Sequence, residues 1–392
     1  MFELLSYFTL QQYWWILVAV LWSALIFMMF VQWWQTLFFG LSKTEADKTL
    51  LINAFWKHYK LTFSILVTFG WAVFASFPIF YAVSFGWAYL VWMAILFIFI
   101  IQAVAYEYRT KASNFLWQKT YEVFLFLNGL LWPLLLWVAV ATFFTGSNFV
   151  IETSNLVNAN ASYHIISSWT TPFYWLEALW NSRELSFLTN ISLGLLVVFL
   201  VRINANLYII NHISDKWILL RNDKCLKINT ALFLVFFLIF ILKLLTITWF
   251  NYDSVTGIVN LEPYKYLHNL FSNWITFWIF LVWVSLFLLG VWLWIFKKSE
   301  KWFWFAWAGT ILVVLTLFIL AWFNHTSFYP SIANLQSSLT IQNASASQYT
   351  LTAMSYVSLM VPFVLAYIIW AWRAISPKKM NKINLKKDLD IY

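Results

Sequence analysis

Nine apolar runs of about 20 residues, separated by short polar segments, constrain this chain more than any other feature. A run of that length matches the hydrocarbon core of a bilayer. The runs are continuously apolar rather than alternating, which predicts transmembrane helices and not barrel strands. Hydrophobic residues make up 63% of the chain and charged residues 10%, far from the soluble globular range. We therefore predict an all-α polytopic membrane protein, with helices at Tyr13–Phe39, Phe63–Phe85, Trp87–Ala105, Glu122–Phe144, Phe187–Ile210, Ile228–Phe250, Trp274–Phe296, Phe303–Phe323 and Leu351–Trp372.

The distribution of basic residues predicts the orientation of these helices. All but four of the 24 Lys and Arg residues lie after the first, third, fifth and seventh runs or in the C-terminal tail. Short cytoplasmic segments retain such residues, so the N-terminus is predicted outside (periplasmic) and the C-terminus in the cytoplasm, in a bacterial inner membrane. The four exceptions are Arg183, Lys265, Arg202 and Lys243, and we expect the last two to extend from within helices towards the interface. The net charge of +9 then follows from orientation and anionic headgroups, and no nucleic-acid partner is expected.

The chain is predicted to be a single integral membrane domain, 1–392, because no linker or soluble segment interrupts the runs. The pattern suggests four-helix sub-bundles at 13–144 and 187–323, followed by a ninth helix at 351–372. The single cysteine, Cys225, allows no disulfide within the chain. None of the five histidines lies in the middle of a predicted helix, where axial haem ligands normally project. We therefore expect no haem, no metal site and no catalytic residue in this chain.

Candidate functional residues lie at the cytoplasmic edge of the second and third helices. His58 and Lys60 precede the second helix, and Glu107 and Arg109 follow the third. A short outer turn joins these helices, so antiparallel packing would bring both groups to the same depth. Two alternatives remain open: an ion pair between Lys60 and Glu107 that neutralises both near lipid, or a His58–Glu107 pair that relays protons.

Several strings resemble the second subunit of cytochrome bd-type quinol oxidases, including the cyanide-insensitive branch. The segment Gln102-Ala-Val-Ala-Tyr-Glu-Tyr-Arg-Thr-Lys111 is similar to the family's Arg-Pro-Val-Gly-Phe-Asp-Tyr-Arg-Ser-Lys. Ser347-Gln-Tyr-Thr-Leu351 resembles the family's outer loop before the ninth helix. The second-helix pattern is matched without gaps by Asn53, His58, Thr68, Gly70, Ala72, Phe74, Ala75 and Pro78.

This resemblance implies a non-haem subunit II in a heterodimer with a haem-bearing subunit I. The complex would oxidise quinol, reduce dioxygen to water and generate a proton gradient, with b-type and d-type haems or their variants in subunit I. Small accessory single-helix subunits, membrane lipids and a structural quinone are further partners that the resemblance implies. The chain itself would stabilise subunit I and line routes for oxygen or protons.

Two departures from the family pattern put an acid-based proton site in doubt. Many relatives have His-Trp-Asp-Gly-Asn where this chain has His58-Tyr59-Lys60-Leu61-Thr62. The family's Gly-Phe-Asp in the first helix is replaced within Phe27-Met-Met-Phe-Val-Gln32. A secondary transporter and a structural membrane scaffold are the alternatives. A transporter is disfavoured because only 9 Gly and 7 Pro residues are available to interrupt helices.

Overall fold

Long α-helices dominate the computed structural model, which describes residues 2–111, 115–151, 167–168, 177–180, 185–272, 274–297, 302–375 and 379–382. The helices, in chain order, are α1 Tyr7–Met28, α2 Phe30–Trp33, α3 Phe38–Leu41, α4 Glu45–Ser76, α5 Pro78–Trp87, α6 Tyr89–Tyr108, α7 Gln118–Ala141, α8 Glu177–Trp180, α9 Ser186–His212, α10 Lys216–Thr246, α11 Lys265–Ser272, α12 Trp274–Lys297, α13 Trp302–Trp322, α14 Ile341–Ala344, α15 Gln348–Ser358 and α16 Val361–Ile375. Short 3₁₀ turns lie at Phe2–Leu4, Trp34–Leu37 and Leu335–Ser337.

Eight helices or helix runs in the described part of the chain are long and apolar enough to cross a membrane. A ninth is added if α11 and the apolar part of α12, bent by 97° to each other, count as one span. The all-α polytopic fold predicted from the sequence is therefore confirmed, while the orientation in the membrane stays a prediction.

Two small antiparallel sheets accompany the helices. Strands β1 (Val150–Ile151) and β2 (Ser167–Ser168) pair with each other. Strands β3 (Trp249–Tyr252) and β4 (Val259–Glu262) form a hairpin after α10, where the sequence predicted a polar connection beginning at Asn251. Most of the predicted outer loop 145–186 lies outside the described residues.

Three predicted spans are broken or shifted in the structure. The first one ends as a regular helix at Met28 and continues through short pieces to Leu41. The second one is interrupted at Phe77, whose φ and ψ of −130° and 64° are not helical, because Pro78 disfavours the helical conformation of the residue before it. The ninth consists of α15 and α16, which meet just before Pro362.

Helices α4 and α10 begin well before their apolar runs. A capping box formed by Thr44 and Asp47 starts α4 at Glu45, 18 residues before the predicted span. Asp215 caps α10, which starts at Lys216, and its first 12 residues include all four basic residues of that segment. Both helices therefore extend beyond the apolar layer on the basic side.

Stacked aromatic rings pack between the two halves of the chain and also within the first half. Trp22 of α1 stacks on Phe318 of α13 with ring centroids 4.2 Å apart. Trp34, at the break after α2, stacks on Phe55 of α4 at 4.3 Å. The buried apolar residues of both halves belong to one continuous cluster. The subdivision into 13–144, 187–323 and 351–372 therefore stays a prediction, since the halves share a packed core.

Candidate functional site

The four residues predicted at the cytoplasmic edge occupy two environments. His58 and Arg109 are buried, whereas Lys60 and Glu107 are exposed. Two residues along an α-helix correspond to a rotation of about 200°, so neighbours at that spacing point to opposite sides. His58 and Lys60 of α4 therefore cannot both face the interior of the helix bundle. The same holds for Glu107 and Arg109 at the end of α6.

The proposed pairing of Lys60 with Glu107 is not present. Glu107 instead pairs with Lys111, one turn further along the chain, with 3.4 Å between the charged atoms. Both side chains of that pair are about half exposed, so the pair contributes at most about 1 kcal/mol to the free energy of unfolding. The structure also gives no His58–Glu107 contact, so a relay through these two side chains has no direct link among the described residues. A role for the four residues in proton transfer stays a prediction.

His58 lies in an aromatic cluster between α4, α9 and α16. Its Nδ1 atom is 2.8 Å from the hydroxyl of Tyr208, which also donates to the backbone carbonyl of Ala54. The His58 imidazole packs on Trp372 with ring centroids 4.0 Å apart. Tyr208, which contacts His58, also stacks on His212 with ring centroids 3.8 Å apart. This cluster packs α4, α9 and α16 together near the basic end of the bundle.

Arg109 is part of a buried ion-pair network that the sequence analysis did not predict. Its guanidinium Nη2 lies 2.9 Å from Glu122 Oε1 and 2.8 Å from Glu45 Oε2. Lys48 Nζ binds the other oxygen of Glu122 at 2.9 Å and Glu45 at 2.7 Å. Two cations and two carboxylates sum to zero charge, which lets Arg109 and Glu122 stay buried, with only 2% and 3% of their side chains exposed.

A chain of neutral polar groups fills the break in the first span. The amide of Gln32 donates to Thr62 Oγ1 at 2.5 Å, and that hydroxyl donates to the carbonyl of Tyr59. Gln102 of α6 donates to the backbone carbonyl of Gln32 at 2.7 Å, and Gln35 donates to the hydroxyl of Tyr106 at 2.7 Å. The Gln102 amide thereby satisfies one backbone carbonyl, that of Gln32, in the broken part of the span. The amide oxygens of the three glutamines have no hydrogen-bond partner within the described chain, so polar sites remain for water.

The described C-terminal residues 379–382 form a clasp at the same end of the bundle. Met380 exchanges backbone hydrogen bonds with the α9–α10 connection, donating to His212 at 2.7 Å and accepting from Ser214 at 3.0 Å. Lys382 Nζ lies 2.6 Å from Asp47 Oδ1 and 3.0 Å from Asp215 Oδ2, so it links the two carboxylates. The clasp therefore ties the chain after α16 to both α4 and α10.

We expect Lys382→Met to accelerate hydrogen exchange at the Ser214 and Met380 amides, because it removes the ion pairs that hold the clasp. Lys216→Met, a neighbouring exposed lysine, is the matched control and should leave exchange unchanged. Equal protection in both variants would show that the backbone bonds alone hold the segment.

The pH range of this protection follows from the ionisable groups of the clasp, which are Lys382 and its two carboxylate partners, Asp47 and Asp215. Burial alone would raise the pKa of Asp215, but the backbone N–H of Ile218 and the Lys382 ammonium bring that pKa below its ordinary 3.8. The hydrogen bond to Asp47 raises the pKa of Lys382 above its ordinary 10.5. The contribution of Asp215 is complete above 3.8 and is lost as pH falls through its lowered pKa, whereas that of Lys382 is complete below 10.5. The clasp should thus stay closed across neutral pH.

Comparison with known proteins decides the family. Residues 10–375 match the family model described as "Cytochrome bd terminal oxidase subunit II". The chain belongs to this family. Membership makes it a subunit of a cytochrome bd oxidase complex, an oxidoreductase that contains haem, and implies a subunit I as its partner. The resemblance seen in the sequence is therefore confirmed.

Relatives with curated names agree with this membership. "Cytochrome bd ubiquinol oxidase subunit 2" of Bacillus subtilis is 25% identical over 383 residues, covering 95% of this chain and 98% of that protein. "Probable cytochrome oxidase subunit 2" of Haemophilus influenzae is 29% identical over 123 residues, and that match spans only 32% of the relative. "Cytochrome bd-I ubiquinol oxidase subunit 2" of Escherichia coli K12 is 27% identical over 153 residues, 38% of this chain and 40% of the relative.

A solved structure supports the fold. A chain of "The structure of bd oxidase from Geobacillus thermodenitrificans" superposes with a TM-score of 0.61, covering 95% of this chain and 100% of that chain. At 14% sequence identity this similarity is evidence for the architecture alone.

The two departures from the family pattern have clear positions in the structure. Lys60, which stands where many bd-type subunits have an acid, points away from the bundle. Gln32, in the region where those subunits have Gly-Phe-Asp, is buried in the neutral polar chain.

Proposed function

We propose that this subunit II is the haem-free, noncatalytic partner of a haem-bearing subunit I, in a complex that oxidises quinol and reduces dioxygen to water. In bacterial inner membranes such a complex would also generate a proton gradient. The observation that carries the proposal is the family match over nearly the whole chain. Family membership also favours this function over a transporter or an isolated scaffold.

Among the histidines that the structure describes, the surroundings of His58 and His268 do not fit a haem. An axial ligand needs an imidazole nitrogen that faces an open space between helices. His58, the buried histidine, packs against Trp372 and binds Tyr208, while His268 is exposed and binds Glu262. The described residues also include no group of three or more His, Cys, Asp or Glu side chains suited to a metal. These surroundings support the assignment of the haems to subunit I.

We propose that subunit I packs against an outward stripe of α4. Ser64, Val67, Gly70 and Phe74 recur every three or four residues and are exposed. In a membrane, small and hydroxyl-bearing residues on an outward face allow a second helix to approach closely. The outward side of α10 is different, because between Ile228 and Leu242 it exposes only apolar residues, all but one of them large aliphatic ones, as expected towards lipid. These residues are Ile228, Ala231, Leu232, Val235, Leu238, Ile239 and Leu242.

Helices on both sides of α4 extend this surface. On one side, Phe63 packs on Phe99 of α6 with ring centroids 5.4 Å apart. On the other side, His58 packs on Trp372 of α16. The stripe therefore lies at the centre of a three-helix surface that is wide enough for an extended helical interface.

Gly70→Trp should prevent recovery of subunit I with this chain. A Cβ atom at Gly70 would have nothing within 4 Å, so the indole fits the isolated subunit and obstructs only an incoming helix. Leu238→Trp, on the aliphatic face of α10, is the matched control and should assemble normally. The measurement is co-purification of the haem-bearing subunit with the tagged chain, followed by quinol-dependent oxygen uptake.

The outcomes separate the interface from the function. Normal assembly of Gly70→Trp would place the interface elsewhere. If the wild-type chain itself purified without a haem-bearing partner and without quinol-dependent oxygen uptake, the oxidase function would be wrong.

Routes for oxygen or protons through this subunit are also part of the proposal. An apolar cavity of about 50 Å³ lies between α7, α9, α10, α12 and α13, lined by side chains such as Trp137, Val197 and Phe287. Its size and apolar lining suit dioxygen better than a quinone ring with its tail. The glutamine chain at the break of the first span offers polar sites for water on a proton route. Accessory single-helix subunits and a structural quinone or lipid remain proposals from the family.

A further inference from the structure

Arg202 of α9 is held in the bundle without a carboxylate partner. Its Nε donates to Asn229 Oδ1 at 2.8 Å, and its Nη1 donates to the backbone carbonyl of Thr36 at 3.3 Å. The thiol of Cys225 is its third neighbour. The side chain thus contacts α10 and the segment before α3, and part of it remains exposed.

Two other arginines in the described chain show what a balanced site looks like. Arg109 pairs with Glu122 and Glu45, and Arg221 pairs with Asp47 at 2.8 Å. Among the described residues, no carboxylate lies within ion-pair distance of Arg202. A largely buried guanidinium with only uncharged acceptors keeps an unbalanced charge, which is costly in a membrane bundle. A counter-ion from outside the chain would remove that cost.

Asn229 adds a second donor beside the guanidinium. Because its Oδ1 accepts from Arg202, the orientation of the amide is defined and its Nδ2 is a donor. Asn229 is only 1% exposed, and this Nδ2 atom has no acceptor in the described part of the chain. A planar guanidinium with an adjacent amide donor is a donor set that suits an oxyanion such as phosphate.

The position of the pair indicates where the oxyanion comes from. The polar and basic part of α10 ends at Lys227, and its apolar run begins at Ile228, so Asn229 lies at the boundary of the hydrocarbon layer. Phospholipid phosphates lie at this level, and cytoplasmic leaflets are rich in acidic lipids. The aliphatic outward side of α10 begins beside the pair and would accommodate acyl chains.

Arg202 is partly exposed and lies next to the segment that leads into α3. Thr36, which accepts from Arg202, lies two residues before α3, and α3 packs against α10. Phe39 and Gly40 of α3 are exposed, and a Cβ at Gly40 would meet nothing within 4 Å. A headgroup can therefore approach Arg202 past the exposed residues of α3.

We propose that Arg202 and Asn229 bind the phosphate of an acidic phospholipid from the leaflet on the basic side, with its acyl chains along α10. A carboxylate of subunit I is a less suitable occupant, because the surface assigned to subunit I is the outward stripe of α4. The purely aliphatic surface next to Arg202 matches lipid chains.

The test uses the purified, delipidated oxidase complex. Phosphatidylglycerol, phosphatidylcholine and inorganic phosphate are titrated separately, and binding is followed by thermal shift and by native mass spectrometry. We expect phosphatidylglycerol to bind the wild type, and Arg202→Gln to weaken that binding about tenfold through loss of a charge-assisted contact. Lys227→Gln, which removes an exposed charge at the same depth, should bind as the wild type does.

Other results would overturn the proposal. Equal phosphatidylglycerol binding by wild type and Arg202→Gln would exclude the site, and stabilisation by inorganic phosphate alone would assign it to a free anion. Loss of subunit I from Arg202→Gln at every lipid concentration would assign Arg202 to the partner interface. If Arg202→Gln does not accumulate, Asn229→Leu replaces it, and unchanged lipid binding in that variant also counts against the proposal.

Discussion

Glu122→Ala is expected to reduce strongly the amount of assembled oxidase in the membrane. The substitution leaves Arg109 buried next to Glu45 alone and leaves Lys48 without its second carboxylate. Removing one partner of a buried ion pair typically costs about 3–5 kcal/mol. The measurement is the yield of haem-containing complex per unit membrane, together with the unfolding temperature of what can be purified.

Glu107→Ala is the matched control, because it removes a carboxylate from the same, basic end of the bundle. Its exposed pair with Lys111 should contribute at most about 1 kcal/mol, so yield should be nearly normal. The double variant Arg109→Met/Glu122→Met removes both buried charges and should do less harm than Glu122→Ala. If the two single variants assemble equally well, the network does not stabilise the fold.

Gly129→Ala should destabilise the subunit although alanine favours helices. The added Cβ would lie 2.9 Å from the Trp33 carbonyl oxygen and 3.0 Å from the Thr36 backbone nitrogen, at the break of the first span. Backbone atoms cannot turn away as a flexible side chain does, so the cost is about 1–3 kcal/mol, as for other overpacked cores. Thermal unfolding of the purified complex measures this loss.

Gly40→Ala, in α3 and outside the α4 stripe assigned to subunit I, provides the comparison for that variant. Its Cβ meets no atom within 4 Å, and alanine is favoured over glycine in a helix by about 1 kcal/mol, so its unfolding temperature should be unchanged or raised. A rise in both variants would mean that α7 can shift away from the break without loss.

Hydropathy predicted the number and kind of spans because lipid requires apolar length, and the charge asymmetry gave a topology. Hydropathy could not predict where α4 and α10 start, because their polar first turns lie outside the apolar layer that hydropathy detects. The Thr44–Asp47 capping box was the available signal for the start of α4. The break at Phe77 could have been predicted from Pro78.

The candidate site was predicted less well, because it depends on which side of a helix each residue faces. His58 and Arg109 face the interior of the bundle, while Lys60 and Glu107 point outward. Glu122 was the first residue of the fourth predicted helix, but it lies one turn inside α7. It meets Lys48 and Arg109, which are 74 and 13 positions away in sequence. Such distant partners leave no local pattern in the sequence.

The zero net charge of the Arg109 network has an electrical consequence. A membrane potential does work on a charge that moves across it, about 2.3 kcal/mol per elementary charge and 100 mV. The network lies at one edge of the bundle and its charges cancel, and the glutamine chain at the break carries none. The membrane potential produced by respiration therefore acts on almost no net charge in this part of the subunit. Its packing should remain the same in energised and de-energised membranes.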